Sequence, residues 1–247
     1  MRILAACEES QAVCVELRKL GHEAYSCDIE QCSGGHPEWH LQCDVRPLLK
    51  IKWDMIIAFP PCTYISNAGA RHLFRGGVLN QERYQKGLEA KQFFLTLLNA
   101  DCPRVAVENP VSSRIFEMPE CSQEIQPWQF GHPVQKKTRL WLRGLPELKP
   151  TQIVEYNCGC HEAGTWFMKG GKDRQKNRAK TFPGIAKAMA EQWAGKCATA
   201  GTEGRGEWIP DDYAYYHCSE CGYEQDEREC VSPYCPKCGA KMGDSEE

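Results

Sequence analysis

The feature of this sequence that most constrains its fold is an alternation of short apolar runs with longer segments of helical periodicity. Five apolar runs are candidate strands: 1–6, 23–28, 40–44, 53–59 and 104–109. Two segments between them, 11–20 and 81–99, space their apolar residues as amphipathic helices do. Strands that alternate with helices are joined by right-handed crossovers. We therefore predict an α/β fold with a doubly wound, mainly parallel sheet.

Candidate catalytic or binding residues lie at or just after the ends of four of these runs. Asp28 and Asp44 end the second and third runs, Cys62 follows the fourth, and Glu108 lies at the end of the fifth. Parallel sheets bind their ligands at the carboxyl ends of the strands. We therefore expect these four side chains to line one rim of the sheet.

Cys62 comes directly after two prolines, in the stretch Phe59-Pro60-Pro61-Cys62. One interpretation is a buried structural cysteine, which is common. The other is a nucleophile held still by the prolines, which fix φ and remove two backbone donors. With Glu108 to hydrogen-bond a ring nitrogen and a basic residue at 136, 137 or 139 to hold an exocyclic oxygen, such a site would activate a pyrimidine.

Three segments carry a resemblance to a known family: Ile56-Ile57-Ala58-Phe59-Pro60-Pro61-Cys62, Val107-Glu108-Asn109-Pro110 and Gln135-Lys136-Lys137-Thr138-Arg139. They resemble the Pro-Cys nucleophile, the Glu-Asn pair and the Gln-x-Arg-x-Arg segment of the cytosine-C5 DNA methyltransferase family, in the same order. The resemblance covers roughly residues 1–194. Within the family, the sequence resembles short bacteriophage-type members that carry a C-terminal zinc ribbon. It implies methyl transfer from S-adenosylmethionine in a Rossmann-like fold that flips the target base out of DNA.

Carried over residue by residue, the resemblance makes Cys62 the nucleophile that adds to C6 of cytosine. Glu108 then hydrogen-bonds N3, and Arg139 holds O2. Four further residues are implied to contact the substrate: Pro61, Asn109, Gln135 and Lys137. S-adenosylmethionine is implied to lie against Ala6, Cys7, Glu8, Asp28, Asp44 and Pro60, with Asp28 on the ribose hydroxyls and Asp44 near the adenine amine.

Two departures from the family leave alternatives open. Its glycine-rich first loop is replaced by Ala6-Cys7-Glu8-Glu9-Ser10-Gln11, and only 41 residues separate Arg139 from Thr181, where the family inserts a longer recognition domain. The reduced segment, about 144–180, interleaves basic residues with glycines and suits phosphates. Besides methylation of DNA, the same chemistry on a free nucleotide such as dCMP is an alternative. A non-catalytic nucleic-acid-binding or decoy protein is another.

The C-terminal region contains two CxxC pairs, Cys218 with Cys221 and Cys235 with Cys238, separated by thirteen residues. Four thiolates at this spacing predict a tetrahedral structural zinc site. The surrounding segment is too short to build a core of its own, so the metal would supply its folding energy. We expect a methyltransferase-like domain over 1–194, a linker over 195–212 and a zinc ribbon over 213–243.

Charge is distributed unevenly along the chain. Residues 203–247 hold 4 Lys+Arg and 12 Asp+Glu, so the remaining residues are net basic although the whole chain carries −3. A basic body permits an anionic partner such as DNA. The first residues do not resemble a secretory signal, and no apolar run approaches the roughly 18–20 residues of a membrane span. We expect a cytoplasmic protein, in a bacterium or an infected host cell, with no membrane partner and with its 16 cysteines reduced or metal-bound.

Overall fold

The computed structural model describes residues 1–70, 72–156 and 180–197, and five short stretches, 205–206, 208–210, 215–219, 223–226 and 241–242. Three of the predicted zinc ligands, Cys221, Cys235 and Cys238, lie outside the described residues. So do the basic part of the reduced recognition segment and most of the predicted linker.

A seven-stranded sheet forms the centre of the protein. In chain order its strands are β1 (Arg2–Ala6), β2 (Glu23–Asp28), β3 (His40–Gln42), β4 (Met55–Ala58), β7 (Val105–Pro110), β8 (Gln123–Ile125) and β9 (Thr138–Arg143). The two strands between β4 and β7, β5 (Phe74–Arg75) and β6 (Val78–Leu79), pair only with each other as a hairpin.

The spatial order of the sheet is β3-β2-β1-β4-β7-β9-β8. The first five of these strands are parallel, whereas β9 runs antiparallel between β7 and β8. The predicted α/β fold with a mainly parallel sheet is confirmed. Strand order reverses between β1 and β4, which is the position where doubly wound sheets open a crevice for ligands.

Among the described residues, four α-helices accompany the sheet: α1 (Ala12–Lys19), α2 (Asn67–Ala70), α3 (Gln81–Leu98) and α4 (Pro183–Met189). The side chain of Asn80 caps α3 by accepting a hydrogen bond from the Arg83 N–H at 3.0 Å. Pro183 occupies the first turn of α4, where its missing N–H costs nothing. Helix α4 continues past Met189 as a π-helical turn, Ala190–Ala194.

The two faces of the sheet bury separate apolar clusters. On the face covered by α1 and α4, called the α1 face, the cluster includes Val13, Leu17, Ile185 and Met189. On the opposite face, called the α3 face, it includes Phe94, Leu97 and Trp141. Every residue of β4 is buried, which explains its uninterrupted apolar run, because a parallel strand is covered on both sides.

The described C-terminal stretches form short strands. These are β10 (Arg205–Gly206), β11 (Trp208–Pro210), β12 (Tyr215–Cys218), β13 (Glu224–Asp226) and β14 (Lys241–Met242), of which β11, β12 and β13 form an antiparallel sheet. Cys218, the one predicted zinc ligand that the structure describes, is buried at the end of β12. Within the described residues, no helix is long and apolar enough to cross a membrane.

Candidate active site

The carboxyl ends of β1, β2, β3, β4 and β7 meet at one rim of the sheet, because these strands are parallel and adjacent. Asp28 is the last residue of β2, and Glu108 lies two residues before the end of β7. Cys62 follows the end of β4 by four residues, and its side chain is partly exposed. The topology therefore brings the residues predicted from the strand ends to the same rim.

Backbone hydrogen bonds tie the Cys62 loop to the segment that follows β7. The Asn67 N–H donates to the Val111 carbonyl at 2.9 Å, and the Ser113 N–H donates to the Ile65 carbonyl at 2.8 Å. Ile65 is fully buried beneath the loop. These contacts fix the position of Cys62 relative to the strand that carries Glu108.

Arg83 holds the same loop from the α3 side. Its Nη2 donates to the carbonyls of Thr63, at 3.2 Å, and Gly69, at 3.1 Å, and its guanidinium lies over the Tyr64 ring at 5.0 Å. A Cβ at Gly69 would lie 2.1 Å from the Thr63 carbonyl oxygen, so this close turn requires glycine. Nothing local in the sequence indicated that Arg83 supports the Cys62 loop, because the contact spans twenty residues.

The two prolines before Cys62 have different environments. Pro60 is buried and Pro61 is exposed at the rim. The preceding residue, Phe59, donates its N–H to the Ala6 carbonyl at 2.9 Å and so joins the start of the loop to β1. The residues predicted to contact the donor, Ala6 and Pro60, therefore lie next to each other at the strand ends, and Pro61 faces outward.

Glu108 projects toward the α1 face, because it lies two residues after Ala106 in β7 and such residues share a face. Ala106 belongs to the apolar cluster on that face. Desolvation raises the pKa of its carboxyl, and the nearby charge of Lys136 and a hydrogen bond with Thr138 counteract part of that effect. Phe182, at the start of α4, and Lys136 line the same pocket as Glu108. Lys136 Nζ lies 5.6 Å from the centre of the Phe182 ring. The pocket thus combines a carboxyl of raised pKa, a cation and an aromatic ring.

Arg139 does not reach this pocket. It pairs with Asn109 across the β7–β9 ladder. Its side chain lies on the α3 face, because it is two residues before Trp141, which belongs to the cluster on that face. Its Nε contacts a Glu124 carboxylate oxygen at 2.8 Å, and Lys137 contacts the same carboxylate at 2.9 Å. Both cations that the resemblance assigned to the substrate are therefore ion-paired to Glu124, on the side of the sheet opposite Glu108.

The other predicted substrate contacts lie close to the rim. Gln135 is partly buried in the segment that leads into β9. Asn109 is completely buried next to Glu108, and neither its amide nitrogen nor its amide oxygen has a hydrogen-bond partner among the described residues. Buried polar groups are nearly always paired in folded proteins. The unpaired amide marks this point of β7 as one where a ligand or a rearranged loop would supply partners.

On the donor side, Cys7, Asp28 and Asp44 lie close together. Burial, together with the negative charges of Asp28 and Asp44, raises the pKa of the Cys7 thiol to about 12. Burial also raises the pKa of Asp28, whose Oδ1 accepts a hydrogen bond from the Glu30 N–H at 3.0 Å. Asp44 forms an ion pair with Arg46 at 2.9 Å. Three of the six residues predicted to contact the donor thus share one end of the crevice.

Glu8 turns inward instead of facing the crevice. Its buried carboxylate accepts hydrogen bonds from the Val13 N–H at 2.7 Å and the Cys14 N–H at 3.2 Å, at the amino end of α1. A helix amino end at this place in a doubly wound fold normally binds a phosphate. Because Glu8 already fills that anion site, the crevice suits a ligand that places no phosphate there.

The glycine-free loop after β1 is held by a partner segment that sequence reasoning missed. Gln11 is buried with a φ of 58°, and its amide exchanges hydrogen bonds with the His36 backbone at 2.8 and 3.1 Å. A Cβ at Gly34 would lie 2.5 Å from the Gln11 Cβ. The glycine that permits close approach of the backbone to this loop therefore lies in the β2–β3 loop and not in the loop after β1. The Gly34-Gly35 pair was the available signal.

Comparison with known proteins gives little further information. No protein-family model matches the sequence, and no curated protein matches it. Among solved structures, one that is similar is a candidate DNA modification methyltransferase encoded within an E. coli prophage, with 13% sequence identity and a TM-score of 0.39 over 62% of this chain. The chain spans about half of that protein, 51% of its length. A likeness of this size says nothing about the activity of the present chain.

Proposed function

We propose that this protein transfers a methyl group from S-adenosylmethionine to C5 of cytosine in DNA, through a covalent adduct between Cys62 and C6. The observation that carries the proposal is the joint placement of the Cys62 loop and Glu108. They lie at the ends of adjacent strands, and backbone hydrogen bonds join the loop to the segment beyond Glu108. A nucleophile and an acid held at fixed positions are the two groups that activation of a pyrimidine needs.

In the proposed reaction, the Cys62 thiolate forms a bond to C6, and the electrons of the C5–C6 double bond move into the ring. Glu108 in its protonated form donates a hydrogen bond to N3 and stabilises the charge that develops there. Its raised pKa favours the protonated form that this role requires. After C5 has been methylated, loss of the C5 proton restores the double bond and expels Cys62.

Lys136 is the basic residue best placed to hold the exocyclic oxygen. It lines the Glu108 pocket, whereas Lys137 and Arg139 are paired with Glu124 on the α3 face. For Arg139 to take the role implied by the resemblance, it would have to leave Glu124 and cross to the other side of β9. We therefore assign the oxygen contact to Lys136.

The donor would lie at the ends of β1, β2 and β3. Asp28 and Asp44 would hold its ribose and adenine, and the backbone from Ala6 to Glu8 would contact its methionine portion. When bound, S-adenosylmethionine supplies an electrophilic methyl group. The buried Glu8 carboxylate supports this assignment because it occupies the amino end of α1, where a dinucleotide would place its phosphates.

The test is transfer of a tritiated methyl group from S-adenosylmethionine to duplex DNA, single-stranded DNA and dCMP in parallel. We expect label in DNA, no label with Cys62→Ala, and unchanged transfer with Cys121→Ala, a matched change outside the rim. Equal labelling by Cys62→Ala would refute the adduct. Label in dCMP alone would show that the substrate is the free nucleotide, and donor binding without any transfer would indicate the non-catalytic alternative.

A further inference from the structure

Two cysteine thiols lie in contact at the donor end of the rim, and the proposed reaction uses neither of them. The Sγ atoms of Cys27 and Cys43 are 3.9 Å apart, and the Cys27 Sγ also lies 3.4 Å from the Cys43 carbonyl oxygen. Cys27 is a fully buried residue of β2, and Cys43 is an exposed residue just past the end of β3. One thiol of the pair is therefore open to reagents and the other is shielded.

The register of the sheet accounts for this contact. Cys27 pairs with Leu41 in the parallel β2–β3 ladder. Cys43 lies two residues after Leu41, in the direction in which β3 runs. Residues two apart along a strand project to the same face. The pairing of β2 with β3 therefore brings the two thiols together. Formation of a disulfide would move Cys43, because it lies outside the strand.

We propose that Cys27 and Cys43 are a modification site at which a peroxide forms a reversible disulfide, and that this disulfide weakens binding at the donor crevice. Hydrogen peroxide first oxidises the accessible Cys43 thiol to a sulfenic acid, and one water is released. The Cys27 thiol then attacks that sulfur, a second water leaves, and the S–S bond forms. A thiol reductant such as dithiothreitol returns both cysteines to thiols and is itself oxidised.

The effect on the crevice follows from what the two cysteines adjoin. A disulfide requires the Sγ atoms to be about 2.05 Å apart, so they must approach by roughly 1.9 Å from their present separation. Cys27 is fixed in the sheet, so residue 43 moves, and with it the adjacent Asp44. Misplacements of about 1 Å can cost on the order of 100-fold in reaction rate, and a displaced Asp44 should likewise lose its contact with the donor. The donor-binding consequence rests on the proposed function; the disulfide itself does not.

Formation of the disulfide is tested on the full-length protein, reduced, desalted and treated with hydrogen peroxide. Digestion at lysine, arginine and glutamate separates the three cysteines of this region into peptides 24–30, 31–38 and 39–50, because the Arg46–Pro47 bond resists cleavage. We expect peptides 24–30 and 39–50 to be recovered as one linked species that dithiothreitol resolves. Cys43→Ser should abolish it, and Cys32→Ser, a matched change in the intervening loop, should retain it. Absence of the linked species in the wild-type protein overturns the proposal.

Donor binding is measured by calorimetry with S-adenosylmethionine, which avoids any dependence on the reactivity of Cys62. We expect oxidation to weaken binding at least tenfold in the wild type and in Cys32→Ser, and to leave Cys43→Ser unchanged. Unaltered binding by a protein that carries the linked peptides overturns the regulatory part of the proposal. If the reduced protein binds no S-adenosylmethionine, the proposed donor is wrong, and peptide mapping still decides whether the thiol pair is oxidised.

Discussion

Replacing Glu8 by glutamine tests the most unusual feature of the donor loop, a buried carboxyl at the amino end of α1. Burial raises the pKa of Glu8 to about 7 from an ordinary value of 4.5, although the Val13 and Cys14 N–H groups partly oppose the shift. A carboxyl whose pKa is raised binds its proton more tightly in the folded protein than in the unfolded chain. The folded state therefore loses stability as pH rises from about 4.5 to above 7.

The size of this loss follows from the shift. At 1.36 kcal/mol per pKa unit, Glu8 costs the wild-type protein on the order of 3 kcal/mol once it is fully ionised. Glutamine does not titrate in this range. The free energy of unfolding of Glu8→Gln minus that of the wild type should consequently increase by about that amount from pH 4.5 to pH 8. This difference cancels the contributions of all other titrating groups that the substitution leaves unchanged.

The assay is urea unfolding of both proteins at pH 5, 6, 7 and 8, followed by tryptophan fluorescence and circular dichroism. Glu82→Gln is the control, because Glu82 is exposed and its partner Lys86 lowers the pKa of its carboxyl. Its stability difference should change with the opposite sign and mainly below pH 5. A Glu8→Gln difference that stays constant or decreases between pH 5 and 8 would refute the reasoning. It would show that the two N–H groups at the helix end outweigh desolvation.

Four further outcomes are expected. The rate of methyl transfer should decline as pH rises through the raised pKa of Glu108, because only the protonated carboxyl donates to N3. Glu108→Gln should remove this alkaline limb of the pH–rate profile and lower kcat/KM by about 100-fold. Lys136→Met should lower the rate and move the same limb to higher pH, because the lysine charge lowers the pKa of Glu108; an unmoved limb would argue against their contact. Gly87→Ala should destabilise the protein by about 1–3 kcal/mol in thermal unfolding, because its Cβ would lie 2.2 Å from Phe116 ring carbons; with Phe116→Leu as background, the loss should shrink. Metal analysis should find one zinc ion per chain and little in Cys218→Ser, and a metal-free wild-type protein would contradict the ribbon.

Several elements of this fold were predictable because the information that specifies them is local. β2 and α3 begin at the predicted residues, and β4 falls inside the predicted run 53–59. In each case the spacing of apolar residues along the chain is that of a helix or of a strand, and the element forms because those residues are buried. The end of α4 shows the limit of such reasoning, since the same periodicity continues from Met189 into a π-helical turn.

The candidate site was predictable to a smaller extent. That Cys62 and Glu108 share a rim followed from a parallel sheet alone, because carboxyl ends of adjacent parallel strands coincide. The role expected for Arg139 depends on which way its side chain points, and that depends on register. In an antiparallel pair, a residue opposite Asn109 cannot share the face of Glu108, because neighbouring residues of a strand alternate between faces.

By itself the sequence determined the kind of fold, the order of its main elements, and which chemical groups stand at the strand ends. These properties depend on the local spacing of apolar residues and on where each run stops. Only the tertiary structure decided that Lys136 accompanies Glu108, that Glu8 turns inward to cap α1, and that Cys27 meets Cys43. The physical reason is that these contacts join residues from separate elements. Their geometry is set by strand register and by packing across the sheet, and no local pattern in the chain encodes either.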